Sequence, residues 1–204
     1  MKKAVFVLAG GRGSRLWPLS RQNYPKQFVE FKEGLSLFQL TIQRLLSIFH
    51  ACDIFILSQE NYKFTIYNQI ELLPELRNTL KNSLKDNVIF EPREKSTLPA
   101  ILLATKYIEV TRKLKDQDLF YVFPSDHVIE PISKFKICLK DAEELAEKDK
   151  IVVFGVTLKF PQEGYGYVMA KKRYSSGFLV EKFIEKPRLS QARKLLDKGA
   201  LCNA

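Results

Sequence analysis

Cysteine is scarce in this sequence and poorly placed for a staple or a metal site. Cys52, Cys138 and Cys202 are odd in number, far apart, and accompanied by no Cys-x-x-Cys pair and by only two histidines, which argues against a disulfide framework and a zinc module. Glycine and proline number nine each and no low-complexity tract is present, so neither a collagen-like chain nor a disordered tail fits. Long apolar runs are missing too. Met1-Lys2-Lys3 followed by Ala4 to Ala9 imitates a signal peptide, but the run is only six residues long and meets Gly10-Gly11-Arg12 at once. No later stretch approaches the roughly 20 apolar residues of a bilayer span. The expectation is a cytoplasmic protein with no membrane partner.

What the chain does have is core-forming material. With 46% hydrophobic and 12% aromatic residues over a length of 204, it can bury about 70% of its unfolded surface and is expected to form one domain over residues 1–204. Its 33 Lys+Arg against 23 Asp+Glu leave a net charge of +10. That surplus invites a basic nucleic-acid-binding module, which would bind oligonucleotides with steep salt dependence. The cations are spread along the chain, however, with no RNP motif, zinc finger or Lys/Arg block interleaved with aromatics. A small polyanion such as a nucleotide uses the same charge.

Apolar runs of strand length alternate with stretches of helical period, the pattern of an α/β fold with a mostly parallel central sheet flanked by helices. The strands are expected at Ala4–Leu8, Asp53–Leu57, Asn87–Glu91, Leu119–Phe123, Ile151–Val156, Gly166–Ala170 and Phe178–Ile184. Helices are expected at Leu37–His50, opened by a Ser36/Gln39 capping box, and at Gln59–Leu73, Pro99–Leu114, Lys134–Lys148 and Ser190–Lys198. A doubly wound sheet sets the first and fourth strand ends side by side, and ligands sit at that carboxyl edge.

The chemistry is therefore sought just after each strand. Leu8-Ala9-Gly10-Gly11-Arg12-Gly13-Ser14-Arg15 is a glycine cluster through which backbone amides can approach an anion. It is neither a dinucleotide fingerprint nor a P-loop, and Arg12, Arg15 and Lys26 bring cations to the same strand end. A glycine turn with a solvated cationic rim is the structural alternative. Pro124-Ser125-Asp126-His127 places a carboxylate at the same edge, where it either caps a turn or holds Mg²⁺, an ion bound by one or two carboxylates plus substrate phosphates. Consecutive Ser125, Asp126 and His127 cannot form a hydrolase relay. Further on, Gly164-Tyr165-Gly166-Tyr167 and Glu185-Lys186-Pro187 suit a sugar hydroxyl and a phosphate, or else mark a hairpin start and an exposed strand end. Cys138 and Cys202 are expected to pack as small hydrophobes.

Taken in order, these clusters resemble the sugar-1-phosphate nucleotidyltransferases. Trp17-Pro18-Leu19-Ser20-Arg21 and Pro25-Lys26-Gln27-Phe28 are specific to the branch that makes GDP-mannose, the mannose-1-phosphate guanylyltransferases. Phe154-Gly155-Val156, Gly164 to Tyr167 and Glu185-Lys186-Pro187 extend the similarity over nearly the whole chain. The resemblance implies a Rossmann-like nucleotidyltransferase fold and transfer of GMP from GTP to mannose 1-phosphate, with Mg²⁺ as cofactor and in-line attack on the α-phosphorus. It implies nucleotide contacts at Leu8, Ala9, Gly10, Gly11, Arg12, Gly13, Ser96, Thr97, Pro99 and Ser125. Arg15 falls to the β and γ phosphates, Lys26 to the α phosphate and Asp126 to the metal. Gly166, Glu185, Lys186 and Asn203 fall to mannose 1-phosphate.

Two departures stand out. Lys95 and Ser96 replace the Arg and Asn usual in relatives, and the chain stops at Leu201-Cys202-Asn203-Ala204, where relatives continue. It reads as a truncated or split-gene product keeping the nucleotide-binding half. Its protein partner would be a second copy in a homodimer or a separate C-terminal chain, and a catalytically impaired nucleotide-binding fragment is the alternative function.

Overall fold

The structure, a computed structural model, describes residues 2–11, 24–93, 95–115 and 117–203. It forms two compact units, Met1–Ser133 and Lys134–Ala204.

The first unit runs β1 (Lys3–Leu8), β2 (Glu30–Lys32), β3 (Leu35–Ser36), α1 (Leu37–Leu46), β4 (Ile54–Gln59), α2 (Lys63–Glu71), α3 (Asn78–Asp86), β5 (Val88–Glu91), α4 (Thr97–Arg112) and β6 (Leu119–Pro124). Four of these strands form a parallel sheet in the order β5-β4-β1-β6. β1 is one of its two inner strands, and Ala4 to Val7 are buried on both faces, which is why this stretch reads as an unbroken apolar run. Side chains alternate across the sheet. Ala4 and Phe6, with Phe55, Leu57 and Ile89, pack against Ala100, Ala104 and Ile108 of α4. On the opposite face Tyr121 meets Phe49, which follows α1, at 5.0 Å between ring centroids. The expected neighbourhood of the first and fourth strand ends holds, with Leu8 opposite Pro124.

α5 (Ile132–Ala146) leads into the second unit, which contains β7 (Gly155–Val156), β8 (Gly166–Tyr174), β9 (Gly177–Glu185), α6 (Leu189–Asp197) and β10 (Leu201–Asn203). Here the sheet order is β7-β10-β8-β9 and every pairing is antiparallel. The parallel pattern belongs to the four strands of the first unit.

Several expected boundaries move for local reasons. Ile151–Val156 is not a full strand. Only Gly155 and Val156 pair, where Cys202 and Asn203 reach them, and Ile151 is 99% exposed. α1 stops at Leu46 instead of reaching His50 because the Ser47 hydroxyl donates to the Arg44 carbonyl at 2.7 Å and competes with the helix ladder. The Gln59–Leu73 helix is confined to α2, after a 3-10 turn at Glu60–Tyr62. α3 escapes the hydrophobic pattern because it buries Leu84 alone. Cys202 packs as a buried hydrophobe, but Cys138 is exposed. Among the described residues no helix is long and apolar enough to cross a membrane.

Candidate active site

At the carboxyl edge of the parallel sheet, the turn leaving β1 is held by its carbonyls. The Leu8 carbonyl accepts from the Ser125 amide at 3.1 Å and the Ser125 hydroxyl at 2.7 Å. The Ala9 carbonyl accepts from Ser58 Oγ at 3.0 Å and Gln27 Nε2 at 3.1 Å. Gln59 Nε2 donates to the Gly10 carbonyl and Gln27 Nε2 to that of Gly11, each at 3.1 Å. Because a trans peptide points its N–H opposite to its C=O, turning these carbonyls inward directs the Gly10 and Gly11 amides outward. Among the described residues a Cβ on Gly11 would meet nothing within 4 Å, whereas one on Gly10 would come within 3.3 Å of Glu91 Oε1. The backbone is therefore open to a ligand at Gly11 and closely flanked by a carboxylate at Gly10.

An open pocket of about 140 Å³ begins there, lined by Leu8, Gly10, Gly11 and Leu57, by Glu91 at the end of β5, and by Ser96, Thr97 and Ala100 at the start of α4. The amino end of a helix offers unpaired N–H groups and a positive partial charge, both suited to an anion. Ser96 takes φ 70° and ψ −174° there, a conformation largely confined to glycine and a mark of stored strain. Pro99 lies in the first turn of α4, and Ala9 is buried behind the pocket.

Beyond the glycine turn, Lys26 Nζ lies 3.3 Å from Asp126 Oδ2 although the residues are 100 apart in sequence. Lys26 opens a 3-10 turn whose Gln27 and Phe28 are buried, which anchors the lysine while its side chain stays partly exposed. Asp126 follows β6, beside the end of β1. His127 Nε2 is 3.7 Å from Asp126 Oδ1, and the His127 carbonyl accepts from Arg44 Nη1 at 3.0 Å. Burial holds the His127 imidazole below its usual range against the upward pull of Asp126, with Lys26 and Arg44 adding to the lowering.

The second unit gathers the residues assigned to the sugar phosphate at one end of its own sheet. Gly166 opens β8 opposite Glu185, which closes β9. Asn203 closes β10 one step beyond the Cys202–Tyr167 pair. Lys186 Nζ is 3.0 Å from Glu185 Oε1, and the Lys186 amide donates to the Tyr165 carbonyl at 3.1 Å. A Cβ at Gly166 would come within 2.8 Å of Phe183 Cζ and 2.9 Å of Glu185 Oε2, so the missing side chain is what lets the carboxylate lie across this strand. The Tyr167 hydroxyl is tied to Gln162, donating to its carbonyl at 2.9 Å and accepting from its amide at 2.8 Å. That buried tyrosine is a packing residue of the motif.

Lys26 and Asp126 are thus brought together, as are Gly10, Gly11, Ser96 and Thr97, and separately Gly166, Glu185, Lys186 and Asn203. Arg12, Gly13 and Arg15, and the Trp17–Arg21 motif, lie outside the described residues. Sequence reasoning missed Glu91, Gln27, Ser58 and Gln59 as builders of the site. The only signal for Glu91 and Gln59 was a polar residue at the carboxyl end of a buried strand.

Comparison with known proteins points the same way. The family profile described as nucleotidyl transferase matches residues 4–201. A mannose-1-phosphate guanylyltransferase of Escherichia coli is 34% identical over 197 residues, covering 94% of this chain and 40% of that protein. The chain thus spans about two fifths of the length of that relative. A solved structure described as mannose-1-phosphate geranyltransferase from Thermus thermophilus superposes with a TM-score of 0.84 at 26% identity, over all of this chain and 56% of that one. One described as mannose-6-phosphate isomerase from Helicobacter pylori gives 0.74 at 28%, over all of this chain and 68% of that one. With a parallel sheet whose carboxyl edge carries the glycine turn, the lysine and the aspartate, and with a family match over nearly its whole length, the chain belongs to the nucleotidyl transferase family.

Proposed function

We propose that the chain transfers GMP from GTP to mannose 1-phosphate, giving GDP-mannose and pyrophosphate. The observation that carries this reading is the Lys26–Asp126 pair, 3.3 Å apart at the carboxyl edge of the sheet, next to outward-facing glycine amides. Support comes from the Escherichia coli relative, whose name is that activity.

In this reading Gly10, Gly11 and the start of α4 cradle the nucleotide, and Glu91 reads the base. Guanine presents N1–H and the 2-amino group side by side, two donors that a carboxylate accepts together. Ala9 and Ser125 hold the turn in shape, and Pro99 fixes the first turn of α4. Arg12, Gly13 and Arg15 are assigned to the phosphates. Lys26 takes the α-phosphate, so that a phosphate oxygen replaces Asp126 as its counter-charge. In the second unit Glu185 and Asn203 hydrogen-bond sugar hydroxyls, Gly166 lets the Glu185 carboxylate lie across its strand, and Lys186 neutralises the sugar phosphate.

Among the described residues no group of three or more His, Cys, Asp or Glu side chains converges, so these residues offer no complete cage. The partly exposed Asp126 carboxylate fits Mg²⁺, which takes its other ligands from phosphates and water. When bound, the ion supplies charge neutralisation on the triphosphate. The chain's own contribution is placement of the attacking oxygen in line and stabilisation of charge at the α-phosphorus by Lys26.

The test is formation of GDP-mannose and pyrophosphate by pure, folded protein given GTP, mannose 1-phosphate and Mg²⁺, with Glu91→Gln alongside. The expected result is turnover that prefers GTP over ATP, UTP and dTTP. Glu91→Gln leaves one guanine donor unmatched and should weaken that preference by about 1–3 kcal/mol. Stabilisation by GTP without turnover would replace the transferase reading with a nucleotide-binding one.

A further inference from the structure

A separate pocket of about 380 Å³ lies wholly in the second unit, between the β8–β9 hairpin and α6. Lys182, Lys194 and Lys198 line it, and so do Met169, Ile184 and Leu195. The three apolar side chains are half-buried and pack on the Tyr167, Ala192 and Ala200 core, which gives the pocket a firm apolar floor. The one carboxylate in its lining, Glu181, is paired with Lys171 at 3.7 Å. Among the described residues none forms an ion pair with Lys182, Lys194 or Lys198.

Two features show that this arrangement is more than a scatter of surface lysines. Lys194 in the last turn of α6 and Lys198 at its C-cap stand four apart and so lie toward the same face. The negative end of the α6 dipole accounts for both of them but not for Lys182, which comes from β9. Lys182 sits at an irregularity in the hairpin. Met169 pairs with Lys182 and Ala170 with Val180, so Glu181 is an extra residue. Such a bulge re-aims the neighbouring side chains and is over-represented beside functional sites.

We propose that this pocket is a second anion site that takes a nucleoside diphosphate, with the phosphates on the three ammonium groups and the nucleoside on the floor of Met169, Ile184 and Leu195. A diphosphate matches three cations more fully than a monophosphate does, and a bare sugar phosphate leaves the apolar floor unused. None of these residues belongs to the guanylyl-transfer reading, so the two stand or fall separately.

The chain has only two methionines, Met1 and Met169, so a ¹³C-methyl-methionine spectrum reports the pocket directly. The full chain is titrated with GDP and, in parallel, with inorganic pyrophosphate. The Met169 signal should move saturably with GDP, at a midpoint about tenfold or more below that for pyrophosphate. In a variant carrying Lys182→Ala, Lys194→Ala and Lys198→Ala, all exposed positions, the GDP midpoint should rise about tenfold or more; Lys182→Gln alone should raise it by less. Lys26→Ala should leave it unchanged. A Met169 signal that stays still through millimolar GDP would overturn the proposal. So would equal midpoints for GDP and pyrophosphate, a wild-type titration in the triple variant, or a midpoint that shifts in Lys26→Ala.

Discussion

Lys26 and Asp126 keep side-chain exposures of 34% and 37%, and an ion pair as wet as that is worth about 0–1 kcal/mol to the fold. Stability is therefore a poor explanation for holding them together, and chemistry is a better one. Lys26→Ala should leave the Tm within a degree or two but lower kcat by roughly 10²–10³-fold, the usual effect of removing one electrostatic donor; stopped-time pyrophosphate release measures it. A large drop in Tm with kcat retained would mean that the pair is structural. Ser96 makes the converse case, since at φ 70° and ψ −174° it occupies backbone space that suits glycine. Ser96→Gly should raise unfolding stability by about 1 kcal/mol in a denaturant titration, and an unchanged or lower value would show that the loop carries no strain. At this scale the sequence singled out a glycine turn, a lysine and an aspartate after strands, which a solvated rim or a turn cap would also explain, and the structure adds that Lys26 and Asp126 lie 3.3 Å apart. Glu91 and Gln27 were not legible, because their role depends on which strands lie side by side.

Among the elements, α1 shows how local signals specify an end. Ser36 Oγ accepts from the Gln39 amide at 3.1 Å and Gln39 Oε1 accepts from the Ser36 amide at 3.0 Å, the reciprocal box expected from the residues. Ser36 is buried and its hydroxyl also bonds Gln69 of α2. Ser36→Ala should therefore cost about 1–2 kcal/mol, toward the upper part of the range for caps, as read from chemical denaturation. A cost under half of that would mean that the two helices are held otherwise. β1 and β4 were legible as apolar runs, for burial on both faces leaves an unmistakable composition, and the edge strands β5 and β6, only partly buried, still read as short apolar runs. α3 and β10 were not. The first buries a single leucine, and the second is three residues long and is defined by its partners β7 and β8. The apolar run Ile151–Phe154 failed in the opposite direction, since a strand needs a partner and among the described residues only Gly155 and Val156 find one.

For the molecule as a whole, acid stability draws on a tie at the far edge of the parallel sheet. Asp118 accepts from the Lys115 amide at 2.9 Å and from the Lys2 amide at 2.6 Å, and these bonds hold its carboxyl below the ordinary 3.8. A depressed carboxyl stabilises the fold above its unfolded value and loses that contribution as the pH falls through the native value. Asp118→Asn should thus lower the Tm at neutral pH, with the gap from wild type closing on acidification below about pH 4; a constant gap would contradict the assignment. The opposite, carboxyl edge carries the central claim, that the space beside the glycine turn belongs to a nucleotide. Gly11 tests it most directly, because among the described residues an added Cβ would meet nothing within 4 Å, so the described packing leaves room for it. Calorimetric titration with GTP and Mg²⁺ should show that Gly11→Val keeps the wild-type Tm but binds GTP about tenfold or more weakly. Wild-type GTP affinity in that variant would contradict the account.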